Sequence, residues 1–156
     1  QYFENTFYSE FSYHMRHKLP LTLILFDIDN FKNINDTHGH IAGDFIIAEV
    51  AKRLNPMMRS ENVFARYGGD EFVIVCKNCD KSGGLMCAER LQNSIRKNGF
   101  TYNENLIQVT LSIGFATYFN KNCLNPLELF KQADKFLYES KSKGKNTISY
   151  EEELKP

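Results

Sequence analysis

Arg66-Tyr67-Gly68-Gly69-Asp70-Glu71-Phe72 sets two adjacent carboxylates directly after a glycine pair, between flanks of β-forming residues. It reads as a tight hairpin with acid groups at its tip, the glycines supplying the positive φ angles of the turn. Residues 62–67 and 72–76 are its predicted strands. Carboxylates held there without a cation or solvent would cost stability. A second acidic stretch makes the first interpretable. Residues 21–28, Leu-Thr-Leu-Ile-Leu-Phe-Asp-Ile, form a nearly continuous apolar run that ends in Asp27-Ile28-Asp29. That is the pattern of a buried strand with carboxylates at its C-terminal end. If the two elements are neighbours, Asp27 and Asp70 meet, and oxygen ligands suit Mg²⁺ better than a soft metal. Either stretch alone reads better as solvated loop acids.

Outward from these strands the pattern alternates. Phe3, Phe7 and Phe11 recur at spacing four, which predicts a helix over residues 2–17. A short helix over residues 31–37 ends at Gly39. A longer one over residues 41–58 carries apolar Phe45, Ile47, Val50, Ala51 and Leu54, with Pro56 bending or shortening its end. Residues 82–97 form a helix with Leu85, Ala88, Leu91 and Ile95 inward, stopped at Asn98-Gly99. Residues 109–118 are a strand, entered through a hairpin from about residue 100. Asn125 caps the last long helix, Pro126 takes its first position, and Glu128 completes a capping-box-like arrangement. Gly144 ends that helix, residues 147–150 are a final strand, and residues 151–156 are an acidic tail expected to fray. The fold class expected is α+β, a central, mostly antiparallel five-stranded sheet flanked by helices.

The chain has 156 residues, 42% of them hydrophobic, with 13 Phe and a formal net charge of zero. One domain over residues 1–150 with a real core is expected, and disorder is excluded. A nucleic-acid polymer or an anionic membrane would normally meet a basic surface, so neither is an expected partner. No apolar run has transmembrane length and no signal peptide is visible. Of the four cysteines, Cys76 and Cys79 have redox or zinc spacing. Zinc would need two more ligands and no second paired motif exists, so reduced thiols at a strand end are expected. His14 and His17, three apart on the first helix, read as surface residues rather than a metal pair. The expected compartment is the cytoplasm.

Three blocks in register carry a family resemblance. The first is Asp27-Ile28-Asp29-Asn30-Phe31-Lys32-Asn33-Ile34-Asn35-Asp36-Thr37-His38-Gly39-His40-Ile41-Ala42-Gly43-Asp44. The second is the Arg66–Phe72 run. The third is Ala133-Asp134 through Tyr138, Lys141, Gly144, Lys145 and Asn146. Together they resemble the GGDEF domain of diguanylate cyclases over essentially the whole chain. The resemblance implies a fold similar to the polymerase palm and the adenylate cyclase catalytic core. It implies condensation of two GTP into cyclic di-GMP and two pyrophosphates across a transient antiparallel homodimer, since each subunit holds one nucleotide. The family's short Asp-x-Leu-Thr signature just upstream is missing and the chain starts at Gln1. It is therefore expected to be a piece of a longer protein with an upstream sensory or regulatory domain, which could anchor the parent to a membrane.

By the same resemblance Asp27, the Ile28 carbonyl, Asp70 and Glu71 hold Mg²⁺, with Mn²⁺ as a substitute, and Asp70 is the proton acceptor. Asp29 has no assigned role. Asn30, Phe31 and Lys32 meet the β- and γ-phosphates at a helix start, where free amides point outward, and Lys32 also stabilises transition-state charge. Lys141 and Lys145, four apart on one helix face, match the family's basic phosphate pair. The second is usually Arg, so the bidentate fork is lost; by position alone the two lysines read better as favourable charges at a helix C-terminus. Asn35 and Asp44 occupy the guanine-reading positions, and His40 lies beside the nucleotide. A carboxylate that accepts from N1–H and the 2-amino group favours guanine over adenine. The family's inhibitory product site, Arg-x-x-Asp, appears in degenerate form as Arg59-Ser60-Glu61-Asn62, with Arg90 facing the same pocket. Asn62 loses the charge-assisted contact. Two other readings stand beside the cyclase: a catalytically silent module that binds GTP or cyclic di-GMP, and a nucleotide cyclase or polymerase-like enzyme with a different product.

Overall fold

In a computed structural model, residues 1–152 are described. Helix α1 (Tyr2–His17) leads into strand β1 (Leu21–Ile28), then α2 (Phe31–His38), α3 (His40–Leu54), a 3₁₀ turn at Asn55–Met57, β2 (Val63–Arg66) and β3 (Glu71–Lys77). Helix α4 (Lys81–Lys97), β4 (Phe100–Tyr102), β5 (Asn105–Ile107), β6 (Leu111–Tyr118), α5 (Pro126–Ser142) and β7 (Ile148–Ser149) follow. The five-stranded sheet runs β2-β3-β1-β6-β7, and β4-β5 is a separate two-stranded hairpin. β1 is the central strand, antiparallel to both β3 and β6, while β6 and β7 are parallel.

Every residue of β1 is buried, as its unbroken apolar run requires. Its alternating side chains feed two cores. Ile24, Phe26 and Ile28 pack with Ile46, Val50 and Leu54 of α3 and Leu91 and Ile95 of α4. Leu21, Leu23 and Leu25 pack with Phe3, Phe7 and Phe11 of α1 and Leu129, Ala133 and Leu137 of α5. Asp27 is next in that second register, so its carboxylate faces α5.

The boundaries differ from expectation where local chemistry intervenes. The helix expected to run to residue 58 ends at Leu54, because Pro56 lacks the N–H of a continuing turn and tightens the chain into the 3₁₀ segment. Asp80, not a residue inside the helix, caps α4: its carboxylate accepts from Gly83 N at 2.8 Å, so the helix starts at Lys81. The strand expected from residue 109 begins at Leu111. Asn125 does cap α5, accepting from Glu128 N at 2.9 Å, and Glu128 Oε2 accepts from Leu124 N at 2.7 Å. His14 is buried rather than at the surface. Its Nδ1 donates to the Glu10 carbonyl at 2.7 Å and its Nε2 accepts from Asn78 N at 3.3 Å, tying α1 to the turn after β3. Of the acidic tail, residues 153–156 lie outside the described residues.

Gly114 is where β6 meets α5 backbone to backbone. A Cβ there would lie 2.0 Å from Leu137 N and 2.6 Å from the Ala133 carbonyl. Gly114→Ala is therefore expected to destabilise the fold by about 3 kcal/mol or more, read from urea denaturation midpoints at constant m-value.

Candidate active site

The β1–β3 register sets Asp27 directly opposite Glu71, and Ile28 N donates to the Asp70 carbonyl at 3.3 Å. Acids some forty positions apart in sequence thus meet at one end of the sheet. The hairpin that presents them differs from expectation. Neither Gly68 nor Gly69 has a positive φ; Gly39 and Gly144 are the glycines that do. The connection between β2 and β3 is four residues long, too wide to need a left-handed turn. Arg66 holds it instead, its Nε donating to the carbonyls of Gly68 at 3.0 Å and Gly69 at 2.9 Å. What the glycines supply is clearance: nothing lies within 4 Å of a Cβ at position 69, and one at position 68 would meet Glu71 Oε2 at 2.9 Å.

Asp27 is 4% exposed. Its Oδ2 is paired with the Lys141 ammonium, and its Oδ1 is buried with no hydrogen-bond partner. Burial pushes its carboxyl up to about 6; Lys141 opposes the rise, and Asp70 and Glu71 add to it. Burial works against the Lys141 charge, yet Asp27, Glu71 and Asp70 together raise its pKa. A cavity of about 70 Å³ beside the pair is lined by Asp27, Glu71, Tyr67, Phe130 and Asp134. Among the described residues no three carboxylate, imidazole or thiol groups form a ready-made cation cage. The donor set nonetheless fits a hard divalent ion: clustered carboxylates and one buried oxygen without a partner, their charge balanced in this structure by the Lys141 ammonium that a bound ion would replace.

Asp29, which had no expected role, is the anchor of this corner. It accepts from Thr110 Oγ1 at 2.7 Å, Ser112 Oγ at 2.5 Å and Asn146 N at 2.9 Å. The segment after α5 is thereby fixed to the end of β1. Lys145, in the same segment, donates from Nζ to Asn30 Oδ1 at 2.6 Å. Asn30 starts α2 in a left-handed conformation and makes no side-chain cap, so the first-turn amides of α2 have no side-chain acceptor. Lys32 is exposed on that turn. Asn30, Lys32, Lys141 and Lys145 therefore border one region with the acids of β1 and β3, a setting that suits a polyphosphate bound with a cation.

The expected base-reading residues lie farther along α2 and on α3. Asn35 Oδ1 is buried without a partner and sits where a Cβ on Gly43 would be, 1.8 Å from that position, with Phe31 Cζ 3.1 Å away. Asp44 is exposed at one border of a groove of about 660 Å³ whose lining includes Phe64, Phe72, Ala48 and Ala51. An apolar slot with a carboxylate at its border suits a planar heteroaromatic base with adjacent N–H donors. His40 is exposed at the first position of α3. Arg59, Asn62 and Arg90 line a separate cavity of about 270 Å³ on the α4 side. There Asn62 Oδ1 accepts from Lys77 N at 3.2 Å.

Because the folded-state pKa of Asp27 exceeds its ordinary 3.8, the folded chain keeps a proton that the unfolded chain has lost. The contribution to stability is full below about 3.8 and is lost as pH rises through about 6. Lys141→Met is expected to move the Asp27 midpoint above about 6, read from carboxyl NMR titration of the metal-free protein.

Comparison with known proteins places these features in a family. The family model "Diguanylate cyclase, GGDEF domain" matches residues 1–147. Diguanylate cyclase A of Treponema denticola is 41% identical over 132 residues, 85% of this chain and 35% of that protein. Response regulator PleD of Caulobacter vibrioides is 36% identical over 131 residues, 83% of this chain and 29% of PleD. The chain thus spans about a third of the length of these relatives. The GGDEF domain of PA1120 (YfiN or TpbB) from Pseudomonas aeruginosa superposes with a TM-score of 0.90 at 27% identity, covering 98% of this chain and 95% of that one. The GGDEF domain of DgcB from Caulobacter crescentus, solved in complex with c-di-GMP, gives 0.88 at 26% identity, covering 95% and 87%. With its palm-like α+β fold and its acids gathered at the end of β1, the chain belongs to the GGDEF domain family of diguanylate cyclases, a family of nucleotidyltransferases.

Proposed function

We propose that residues 1–150 are the catalytic domain of an active diguanylate cyclase, which condenses two GTP into cyclic di-GMP with release of two pyrophosphates. The observation that carries this reading is the meeting of Asp27 with Asp70 and Glu71, one buried carboxylate oxygen being left without a partner. Asp27, the Ile28 carbonyl, Asp70 and Glu71 would hold Mg²⁺, with Mn²⁺ as a substitute. The ion supplies neutralisation of phosphate charge and eases loss of the 3′-hydroxyl proton.

The chain's own residues do the rest. Lys32 and the first-turn amides of α2 hold the β- and γ-phosphates, and Lys32 stays on them as charge builds in transfer. Lys141 and Lys145 meet phosphate oxygens, with Asn30 positioning Lys145. Asp70 accepts the proton of the attacking 3′-hydroxyl. Asn35 and Asp44 accept from the guanine edge, Phe31 and Asn35 both lie against Gly43, and His40 borders the nucleotide. One domain holds one GTP, so two domains face each other in an antiparallel homodimer, brought together by an upstream sensory or regulatory module of the parent protein. The reaction belongs in the cytoplasm, where GTP is found. Arg59, Asn62 and Arg90 form a weakened product site, because Asn62 is neutral and its carbonyl is engaged by Lys77 N; a calorimetric titration with cyclic di-GMP measures its strength.

Incubation with GTP and Mg²⁺ at high protein concentration, or with a fused dimeriser, followed by product separation, tests the proposal. Cyclic di-GMP should form, and Asp70→Asn should lower its rate about 10²-fold or more. Binding of GTP without turnover in the dimerised protein would replace the cyclase with a regulatory binding module, and turnover of ATP would replace it with a different cyclase. Gly43→Ala displaces Asn35 and should raise KM for GTP about tenfold with kcat nearly unchanged, read from initial rates.

A further inference from the structure

Three of the four cysteines lie together, a grouping the sequence does not reveal. Cys76 is the sixth residue of β3, Cys79 follows the turn at Asn78, and Cys87 comes from α4. Thr22 on β1 is the cross-strand partner of Cys76, so both side chains project from the same face of the sheet. The Thr22 hydroxyl donates to the Cys79 carbonyl at 2.8 Å, and Cys79 N donates to the Pro20 carbonyl at 3.2 Å. Asn78, at φ 51°, turns the chain between the end of β3 and Cys79. Helix α4 crosses above: a Cβ on Gly83 would lie 3.0 Å from Cys79 Sγ, and Cys87 is on the same helix face one turn later. Cys79 and Cys87 both pack against the core cluster that contains the buried Cys76, and the Cys79 thiol donates to the Asp80 carbonyl at 3.5 Å. All three line the cavity of about 270 Å³ that also holds Arg59 and Arg90, and all three are free thiols.

We propose that Cys79 and Cys76 form a peroxide-reactive dithiol within this cavity, with Cys79 the attacked thiol and Cys76 the resolving one. Cys79 is half-buried and reachable from the cavity, whereas Cys76 is 2% exposed beneath it. The neighbouring Cys76 thiol pulls the Cys79 thiol down to about 7, against burial and the Asp80 charge, with Thr22 and Arg59 assisting. The Cys76 thiol is pushed up by the same contacts and by burial, so it keeps its proton until needed.

The chemistry closes with a hydroperoxide as the oxidant. The Cys79 thiolate attacks the peroxide oxygen, an S–O bond forms, the O–O bond breaks, and the alkoxide or hydroxide leaves and takes up a proton. Cys79 becomes a sulfenic acid, oxidised by two electrons. Cys76 sulfur then attacks Cys79 sulfur, the S–S bond forms, and the hydroxyl departs as water with the Cys76 proton. Two thiols and one hydroperoxide yield one disulfide, one alcohol or water, and one further water. The product is neutral, so Arg59 loses a thiolate counter-charge and the cavity becomes more receptive to an outside anion.

The test needs no nucleotide, so it is independent of the cyclase reading. Reduced protein is treated with equimolar hydrogen peroxide, alkylated and digested with trypsin. Cleavage after Lys77 and Lys81 separates the two cysteines onto different peptides. The expected result is a disulfide-linked pair of those peptides, with reactive thiols falling from four to two while Cys87 and Cys123 are alkylated. Cys79→Ser, at a partly exposed position, should slow peroxide-dependent thiol loss about tenfold or more. Cys76→Ser should leave a sulfenic acid on Cys79 that dimedone traps; circular dichroism confirms that each variant is folded. Four thiols remaining after treatment, a Cys76–Cys87 linkage, a disulfide between two chains, or unchanged thiol loss in folded Cys79→Ser would each overturn the proposal.

Discussion

A carboxylate held nearly out of water is the constraint on which the site depends. Asp27 continues the register of Leu21, Leu23 and Leu25, so the periodicity that builds the α1–α5 core also drives its side chain inward. The fold could have left a polar residue at the strand end facing solvent. Instead it sets Glu71 opposite, leaves one Asp27 oxygen without a partner, and brings Lys141 from α5 to the other. The cost of that burial appears in the raised carboxyl pKa of about 6. Protonation, the lysine or a bound cation can each meet it, and a cation does so while leaving Asp27 ionised and Lys141 free for another anion.

The surrounding elements exist to hold that corner still. Asp29, just past the end of β1, does not serve as a ligand: its oxygens are spent on Thr110, Ser112 and Asn146. The Asp-x-Asp pair thus divides its labour, one acid toward the reaction region and one toward the frame. Arg66 does for the hairpin what Asp29 does for the α5 end, gathering two loop carbonyls with a single guanidinium nitrogen. Both are charged groups whose hydrogen bonds fix backbone, the kind of arrangement that keeps geometry when a highly charged ligand arrives.

Much of this was legible because it rests on local pattern. The apolar run of residues 21–28, the Phe spacing of α1 and the Asn125-Pro126 start of α5 each act through neighbours in sequence, and each element formed where its pattern lies. The conformation of Gly68 and Gly69 was not legible, because the need for positive φ depends on loop width and Arg66 made the wider loop tenable. His14 looked like a surface residue because its acceptor role is filled by Asn78, 64 positions away. The grouping of Cys87 with Cys76 and Cys79 was hidden for the same reason: α4 has to pack back onto the sheet, against β6 and β1, before its spacing means anything. Only the matched order of three motifs, not any single one, carried information about partners so distant in the chain.

Gly114 has a bearing on the reaction region that its distance from Asp27 conceals. The helix rests on bare backbone at Ala133 and Leu137, and Lys141 is one turn farther along. With no methyl group between strand and helix, the stack has zero shim thickness, and the height of the ammonium above the β1 acid is set by two peptide planes in contact. A spacer of even one carbon would tilt the whole rod and swing its basic tip away. The reach of Lys141 is therefore governed by what is missing one strand over.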